Sequence, residues 1–363
     1  MKVKVLNWNI RGLNDKNKRS IVGSLVREWR ADIVCLQQTK MEDIPASMLY
    51  QIWGNRWVEW AELKASGTRG GIVVMWDRRL WKCNDSHQGS FSITCFLDSL
   101  QEDFRWAFTC VYGPHTNAER KELWHELGAV RGIWTEQWVV GGDFNVCRFE
   151  NERLNCIRRS KAMRSFSDII MDLQLLDLPL QGAQYTWARG EDCLQASRID
   201  RFLISSEWNE SFKAINQLAL PRALSDHKPL LLESGEWDTT PSYFKFENMW
   251  LQQEGFIDMV KEDVYGKVEA KRTKALEELS ILDQTAENRA LTQVEKQMVV
   301  NLKAELMELA KAEEISWRQK SRCLWLKERD RNTRYFQTIA NSHRRNNNID
   351  KLKVDNEITD DKE

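Results

Sequence analysis

Asp143 and Asn145 stand two residues apart, directly after the apolar run Trp138-Val139-Val140 and the pair Gly141-Gly142. On a strand, residues i and i+2 share a face, so both side chains would project together from its C-terminal end. A carboxylate beside an amide can do proton-transfer chemistry. One orients water or a metal ion while the other donates to an oxyanion. The glycines withhold side chains where another group must approach the backbone. The same residue types also close ordinary Asx-type turns, so this stretch alone leaves both readings open.

Other polar residues end or directly follow apolar runs: Asn9, Gln38, Tyr112, Thr186, Asp200, Asp226 and His227. Each alone has a structural explanation as well, since amides and acids close turns and a single histidine is commonly a core residue. Their recurrence at strand ends is what points to a site.

Those positions require strands to hold them. Lys2–Asn9 alternates polar and apolar and reads as a first strand. Ala31–Gln38 is nearly continuous and apolar, as a buried strand should be. Further strands are expected at Gly70–Trp76, Phe91–Phe96, Arg105–Tyr112, Gln184–Ala188, Ser197–Ile204 and Leu230–Leu232. Lys18–Arg30 carries Ile21, Val22, Leu25, Val26 and Trp29, a helical stripe that should cover a sheet. Asn117–Gly132 and Ser165–Leu175 also read as helices.

The 363 residues are 42% hydrophobic and 29% charged, enough for a sizeable core and about two domains. A formal net charge of -1 excludes binding of nucleic acid through bulk basicity, so a local patch would have to do it. Seventeen tryptophans are expected to be mostly structural. No apolar run approaches the roughly 18 residues of a membrane span. The 8 cysteines are irregularly spaced without a CxxC pair, which predicts a reduced, intracellular protein rather than a disulfide scaffold.

After Glu233 the texture changes. Residues 234–260 read as a linker, and 261–363 as an almost wholly helical, charged extension. Thr292 with Glu295 forms a capping box that should start a long helix, with Leu302, Leu306 and Leu309 on one face. Between residues 318 and 345 arginine and lysine dominate, interleaved with aromatics. This stretch could bind nucleic acid, or simply be a solvated face.

The strand-end motifs also stand in a familiar order. Asn7-Trp8-Asn9, Leu36-Gln37-Gln38-Thr39-Lys40, Val111-Tyr112-Gly113-Pro114, Gly142-Asp143-Phe144-Asn145, Arg198-Ile199-Asp200 and Ser225-Asp226-His227 resemble the endonuclease/exonuclease/phosphatase superfamily. Within it, residues 1–233 most resemble the apurinic-type endonuclease of plant LINE (non-LTR) retrotransposons. Phe244–Trp250 and Ile315–Ser321 resemble the connector before such an element's reverse transcriptase, which itself does not follow in this chain.

The resemblance implies an α+β fold, a DNase-I-like four-layer α/β/β/α sandwich followed by a helical extension. It implies Mg²⁺-dependent nicking of DNA, with Mn²⁺ as an alternative ion, and nuclear work for an element protein. Asp143 would activate water, with Asn145 and Asn9 holding the water and the phosphate. His227, oriented by Asp200, would donate to a phosphoryl oxygen, and Tyr112 would stabilise the oxyanion. Asn9, Gln38 and Asp226 would lie at the metal, and Thr186 on the substrate side. Element RNA could be held through 318–345. Where the family has a metal-binding glutamate this chain has Gln38, which removes one negative charge and should weaken the site. The alternatives are an inactive remnant that at most binds nucleic acid, or another phosphoesterase of the same superfamily.

Overall fold

The chain is seen in a computed structural model that describes residues 1–66, 69–189, 195–235, 266–320, 352–354 and 357–359. β1 (Val3–Asn9) leads through α1 (Lys16–Trp29) into β2 (Ile33–Gln37). α2 (Ala46–Trp53) precedes β3 (Val58–Ser66) and β4 (Arg69–Asp77). β5 (Trp81–Gln88), β6 (Ser92–Ser99) and β7 (Arg105–Tyr112) form a meander, and α3 (Asn117–Ile133) crosses to β8 (Trp138–Asp143). After α4 (Lys161–Asp172) come four short strands: β9 (Leu175–Asp177), β10 (Leu180–Gln181), β11 (Trp187–Arg189) and β12 (Gln195–Ser197). β13 (Asp200–Ser205), α5 (Ser206–Ser211), β14 (Ile215–Ala219) and β15 (Leu230–Ser234) complete the sandwich. Helices α6 (Gly266–Asn288) and α7 (Gln293–Lys320) follow, then a small hairpin of β16 (Leu352–Val354) and β17 (Glu357–Thr359).

One sheet has the order β10-β14-β15-β1-β2-β4-β3, the other β5-β6-β7-β8-β13-β9. Three apolar clusters define four layers. Val5, Cys35, Val74, Leu97, Phe108 and Phe202 fill the space between the sheets. Leu6, Trp8, Val34 and Leu36 meet α1 and α2 on one outer face. Trp138, Val140 and Leu203 meet α3 and α4 on the other. Period-two alternation is thus satisfied on both faces of each central strand, which is why these strands read as continuous apolar runs.

The same alternation carries the site. On β1, Val3 and Val5 face inward between the sheets, so Asn7 and Asn9 do too. On β7, β8 and β13 the inward residues are Phe108, Val139 and Phe202. Parity then aims Tyr112, Asp143 and Asp200 into the same inter-sheet rim. Gly141 and Gly142 let β8 sit tightly among its neighbours. A Cβ at Gly141 would fall 2.6 Å from the Phe202 ring, and one at Gly142 2.0 Å from the Val111 carbonyl.

Several expectations are corrected. The helix expected at Ser165–Leu175 is Lys161–Asp172, started by Ser160, whose hydroxyl accepts the Met163 N–H, and Leu175 opens a strand. The strand expected at Gln184–Ala188 is reduced to Trp187–Arg189. β5 has no apolar signal because it is a sheet edge, where only Trp81 is buried. Cys35 and Cys110 face each other from the two sheets and pair as a disulfide, Cα–Cα 6.6 Å. Their separation of 75 residues carries no pairing signal, and only the stacking of β2 on β7 brings them together.

The capping box is formed: Thr292 N–H donates to Glu295 Oε2 and Glu295 N–H to Thr292 Oγ1. Leu302, Leu306 and Leu309 are buried on one face of α7. The extension is not helical throughout, since β16 pairs with β17. The expected linker beyond Gly235, and most of the basic stretch 318–345, lie outside the described residues.

Candidate active site

Tyr112, Asp143 and Asp200 form one lateral row, because Tyr112 pairs with Asp143 across β7 and β8, and Asp143 with Asp200 across β8 and β13. Two acids directly opposite on an antiparallel pair repel each other. His227 relieves this. Its Nδ1 lies 2.9 Å from Asp200 Oδ2, and its Nε2 lies 3.8 Å from Asp143 Oδ2. All three side chains are buried.

His227 reaches this row through its loop. Ser225 Oγ donates to the Asn9 carbonyl at 2.7 Å and accepts the His227 N–H at 3.2 Å, which pins the loop to the end of β1. Trp8 Nε1 donates to the His227 carbonyl at 3.3 Å. The next residue, Lys228, donates its N–H to the Thr186 carbonyl at 2.7 Å.

Asp143 is held on both oxygens. Asn9 Nδ2 donates to Oδ2 and the Asn145 N–H donates to Oδ1, each at 2.9 Å. The second bond is an Asx turn, so the turn reading of this stretch is realised. Asn145 is left-handed at φ 51, and its Nδ2 donates to the Gly113 carbonyl at 2.6 Å.

Electrostatics follow from burial and proximity. Burial and the neighbouring Asp200 push the Asp143 carboxyl up to about 7, against the pull of His227. Burial alone would discharge His227, but Asp200 and Asp143 outweigh it and raise the imidazole to about 9. Burial and Asp143 raise the Tyr112 hydroxyl to about 12, so it keeps its proton.

Two of the expected site residues have protein partners. Thr186 is fully buried, and its hydroxyl accepts the N–H groups of Ile199 and Asp200 at 3.0 Å each. It therefore holds the Asp200 backbone from beneath. Asp226 is paired with Arg11, at 2.6 Å from its Nη1, and accepts Trp187 Nε1 at 3.1 Å.

Arg11 and Trp187 were missed by sequence reading. Arg11 lies in a turn and Trp187 among many tryptophans, and neither position carries a local signal. Gln38 follows the last residue of β2, whose Gln37 pairs with Asn9, and is left-handed at φ 54. It thus stands at the same rim as Asn9.

Ligand atoms of Asp143, Asp200 and His227 all lie within 4.8 Å of one another, a grouping able to hold a metal ion. The donors here suit a hard cation: carboxylates of Asp143 and Asp200, with the amide of Asn9 beside them.

The sequence profile described as "Endonuclease/Exonuclease/phosphatase family" matches residues 6–227, more than half of the chain. The chain belongs to that family. Membership, with the row just described, supports a role of the phosphoesterase type. The "Transposon TX1 uncharacterized 149 kDa protein" of Xenopus laevis is 27% identical over 161 residues. That match covers 42% of this chain but only 12% of the transposon protein. Among solved structures, the 3'-5' exonuclease NExo of Neisseria meningitidis superposes with TM-score 0.52 at 21% identity, covering 64% of this chain and 100% of NExo. The AP endonuclease LMAP of Leishmania major gives 0.51 at 16% identity, covering 64% and 87% respectively. NExo from Neisseria has also been solved "bound to product DNA hairpin". These likenesses fix the four-layer family fold. Among the described residues no helix is long and apolar enough to cross a membrane.

Proposed function

We propose that this chain is a Mg²⁺-dependent phosphodiesterase that nicks DNA as the endonuclease part of a retrotransposon protein working in the nucleus. The observation that carries this reading is the buried row Asn9–Asp143–His227–Asp200, which holds a base and an acid side by side. Asp143, steadied by Asn9 and the Asn145 amide, takes the proton of an attacking water. His227, held by Asp200 through Nδ1, donates from Nε2 toward a phosphoryl oxygen. Tyr112, which keeps its proton, donates to the oxyanion. Exposed Arg11 offers its guanidinium to the phosphate at the mouth of the site. A divalent cation, held by Asn9, Gln38 and Asp226 near Asp143, would neutralise charge on the phosphate.

The relationship to a transposon protein and the DNA-bound NExo support DNA as substrate. The division into a nuclease unit (1–233), a linker (234–260) and a helical extension (261–363) belongs to the same proposal, as does element RNA bound through 318–345. The deciding test is nicking of supercoiled plasmid with Mg²⁺, beside Asp143→Ala. A rate equal to that of the variant removes the enzyme reading.

A second reading has its own support. Gln38 lacks the family's charge, and Asp226 is engaged by Arg11. Both features fit an element copy that has lost catalysis. Failure to nick at any Mg²⁺ concentration would favour it.

A further inference from the structure

The loop 220–229, which carries His227, is gripped from outside the family fold. Helix α6 lies across it and presents two carboxylates one helical turn apart, Asp283 and Glu287. Asp283 Oδ2 accepts the Arg222 N–H at 3.0 Å and lies 3.9 Å from Lys228 Nζ. Glu287 Oε1 accepts Lys228 Nζ at 2.9 Å, while its Oε2 accepts the Gln184 N–H at 2.8 Å. The side chains of Lys228, Asp283 and Glu287 are each only 9% exposed. One carboxylate thus ties the segment leading to Thr186 to the residue after His227. Around these bonds Leu276, Leu279, Leu282 and Ala286 of α6 share a core with Tyr185, Ala188 and Ala223.

We propose that Asp283 and Glu287 are positioning residues of the phosphodiester-cleaving site, which makes α6 a working part of the nuclease rather than a spacer. The assignment to catalysis rests on the function proposed above, while the clamp itself does not. The physical reason is that Asp200 and His227 must meet within hydrogen-bond reach, and they come from segments far apart in the chain. Thr186 sets the Asp200 backbone, and the loop sets His227. Those two segments touch through the Lys228 N–H to Thr186 carbonyl bond and the Ala188 N–H to Asp226 carbonyl bond. Both bonds join the same two segments that the carboxylate clamp ties together. Removing one partner of a buried ion pair leaves a charge unpaired, and the loop must move to solvate it.

The test uses the full chain with Asp283→Ala/Glu287→Ala, and with Glu287→Gln, which keeps one acceptor and loses the charge. Amide hydrogen exchange is followed at 184–189 and 222–229, with β1 and β8 as internal references. Plasmid nicking is measured on the same proteins. The double variant is expected to speed exchange at Ala188 and Lys228 by about tenfold or more with β1 and β8 unchanged. It is expected to lower kcat by roughly 10- to 100-fold at unchanged KM, as a misplaced catalytic group does. Glu287→Gln should fall between the double variant and the parent.

Exchange unchanged at both segments overturns the proposal. Exchange accelerated equally in β1 and β8 also overturns it, because α6 would then be a general stabiliser. If the parent itself fails to nick, the proposed function falls and the exchange measurement alone decides the clamp. Faster local exchange with kcat intact overturns the catalytic role of the clamp.

Discussion

Asp143 and Asp200 lie directly opposite each other on β8 and β13, and His227 joins them, 2.9 Å from one and 3.8 Å from the other. The pairing would be repulsive without the imidazole, and the imidazole would be neutral at this depth without the acids. The imidazole stays charged because the two acids outweigh its burial. This mutual dependence produces the chemistry proposed for the rim and makes its pH response specific.

The rate of nicking is expected to be bell-shaped in pH. Asp143 must lose its proton, so activity rises through about 7, and His227 must keep its proton, so activity falls through about 9. A bound cation favours the ionised carboxylate and moves the acid limb down as Mg²⁺ is raised. Stability has the sign of a raised histidine: the contribution is complete below the ordinary value of 6.5 and lost as pH rises through about 9. A flat rate profile from pH 6 to 10 would contradict this assignment.

Asp200→Asn keeps the shape of the row but removes the charge that holds the imidazolium. Nicking is expected to fall by about 10²-fold or more, and the basic limb to move to lower pH. Steady-state rates across pH, with a melting curve to show the fold intact, check both. A lower rate with the limb in place would mean that Asp200 is only a packing residue.

Gln38→Glu restores a carboxylate at the rim, and Arg11→Ala releases Asp226. If both residues set cation affinity, each change is expected to lower the Mg²⁺ needed for half-maximal nicking, Gln38→Glu with a gain of roughly 10-fold or more at low Mg²⁺. Arg11→Ala should also raise KM, because a phosphate contact is lost. Neither should act in an Asp143→Ala background, since these groups work as a unit. Titration of nicking against Mg²⁺ reads all three. Curves that superpose on the parent's would remove Gln38 and Arg11 from the cation site.

Residues 1–233 carry both sheets and the helices α1–α5 and are expected to fold alone, but with reduced stability. Cutting away α6 uncovers Tyr185, Ala188 and Ala223 and strips the partners of Arg222 and Lys228. Fully burying a leucine contributes about 1.5–3 kcal/mol, so loss of the α6 face should cost several kcal/mol. Denaturant melts of 1–233 against 1–311 measure the difference. Equal midpoints would show that the docking surface contributes nothing to stability.

What the sequence determined by itself is local. Alternation on β1, β7, β8 and β13 placed Asn9, Tyr112, Asp143 and Asp200 at strand ends on one face, because period two is a property of the backbone of each strand. The ordered motifs identified the family and with it the four layers, and the Thr292–Glu295 box marked the start of α7. Tertiary structure decided what no local pattern encodes. Arg11 meets Asp226 across 215 residues, Cys35 meets Cys110 across 75, and Gln184 meets Glu287 across 103. Thr186 looked like its neighbours at strand ends, yet its hydroxyl turned inward to the Asp200 backbone. Such contacts depend on strand register and on how layers stack, and these arise only when distant segments compete for the same buried space.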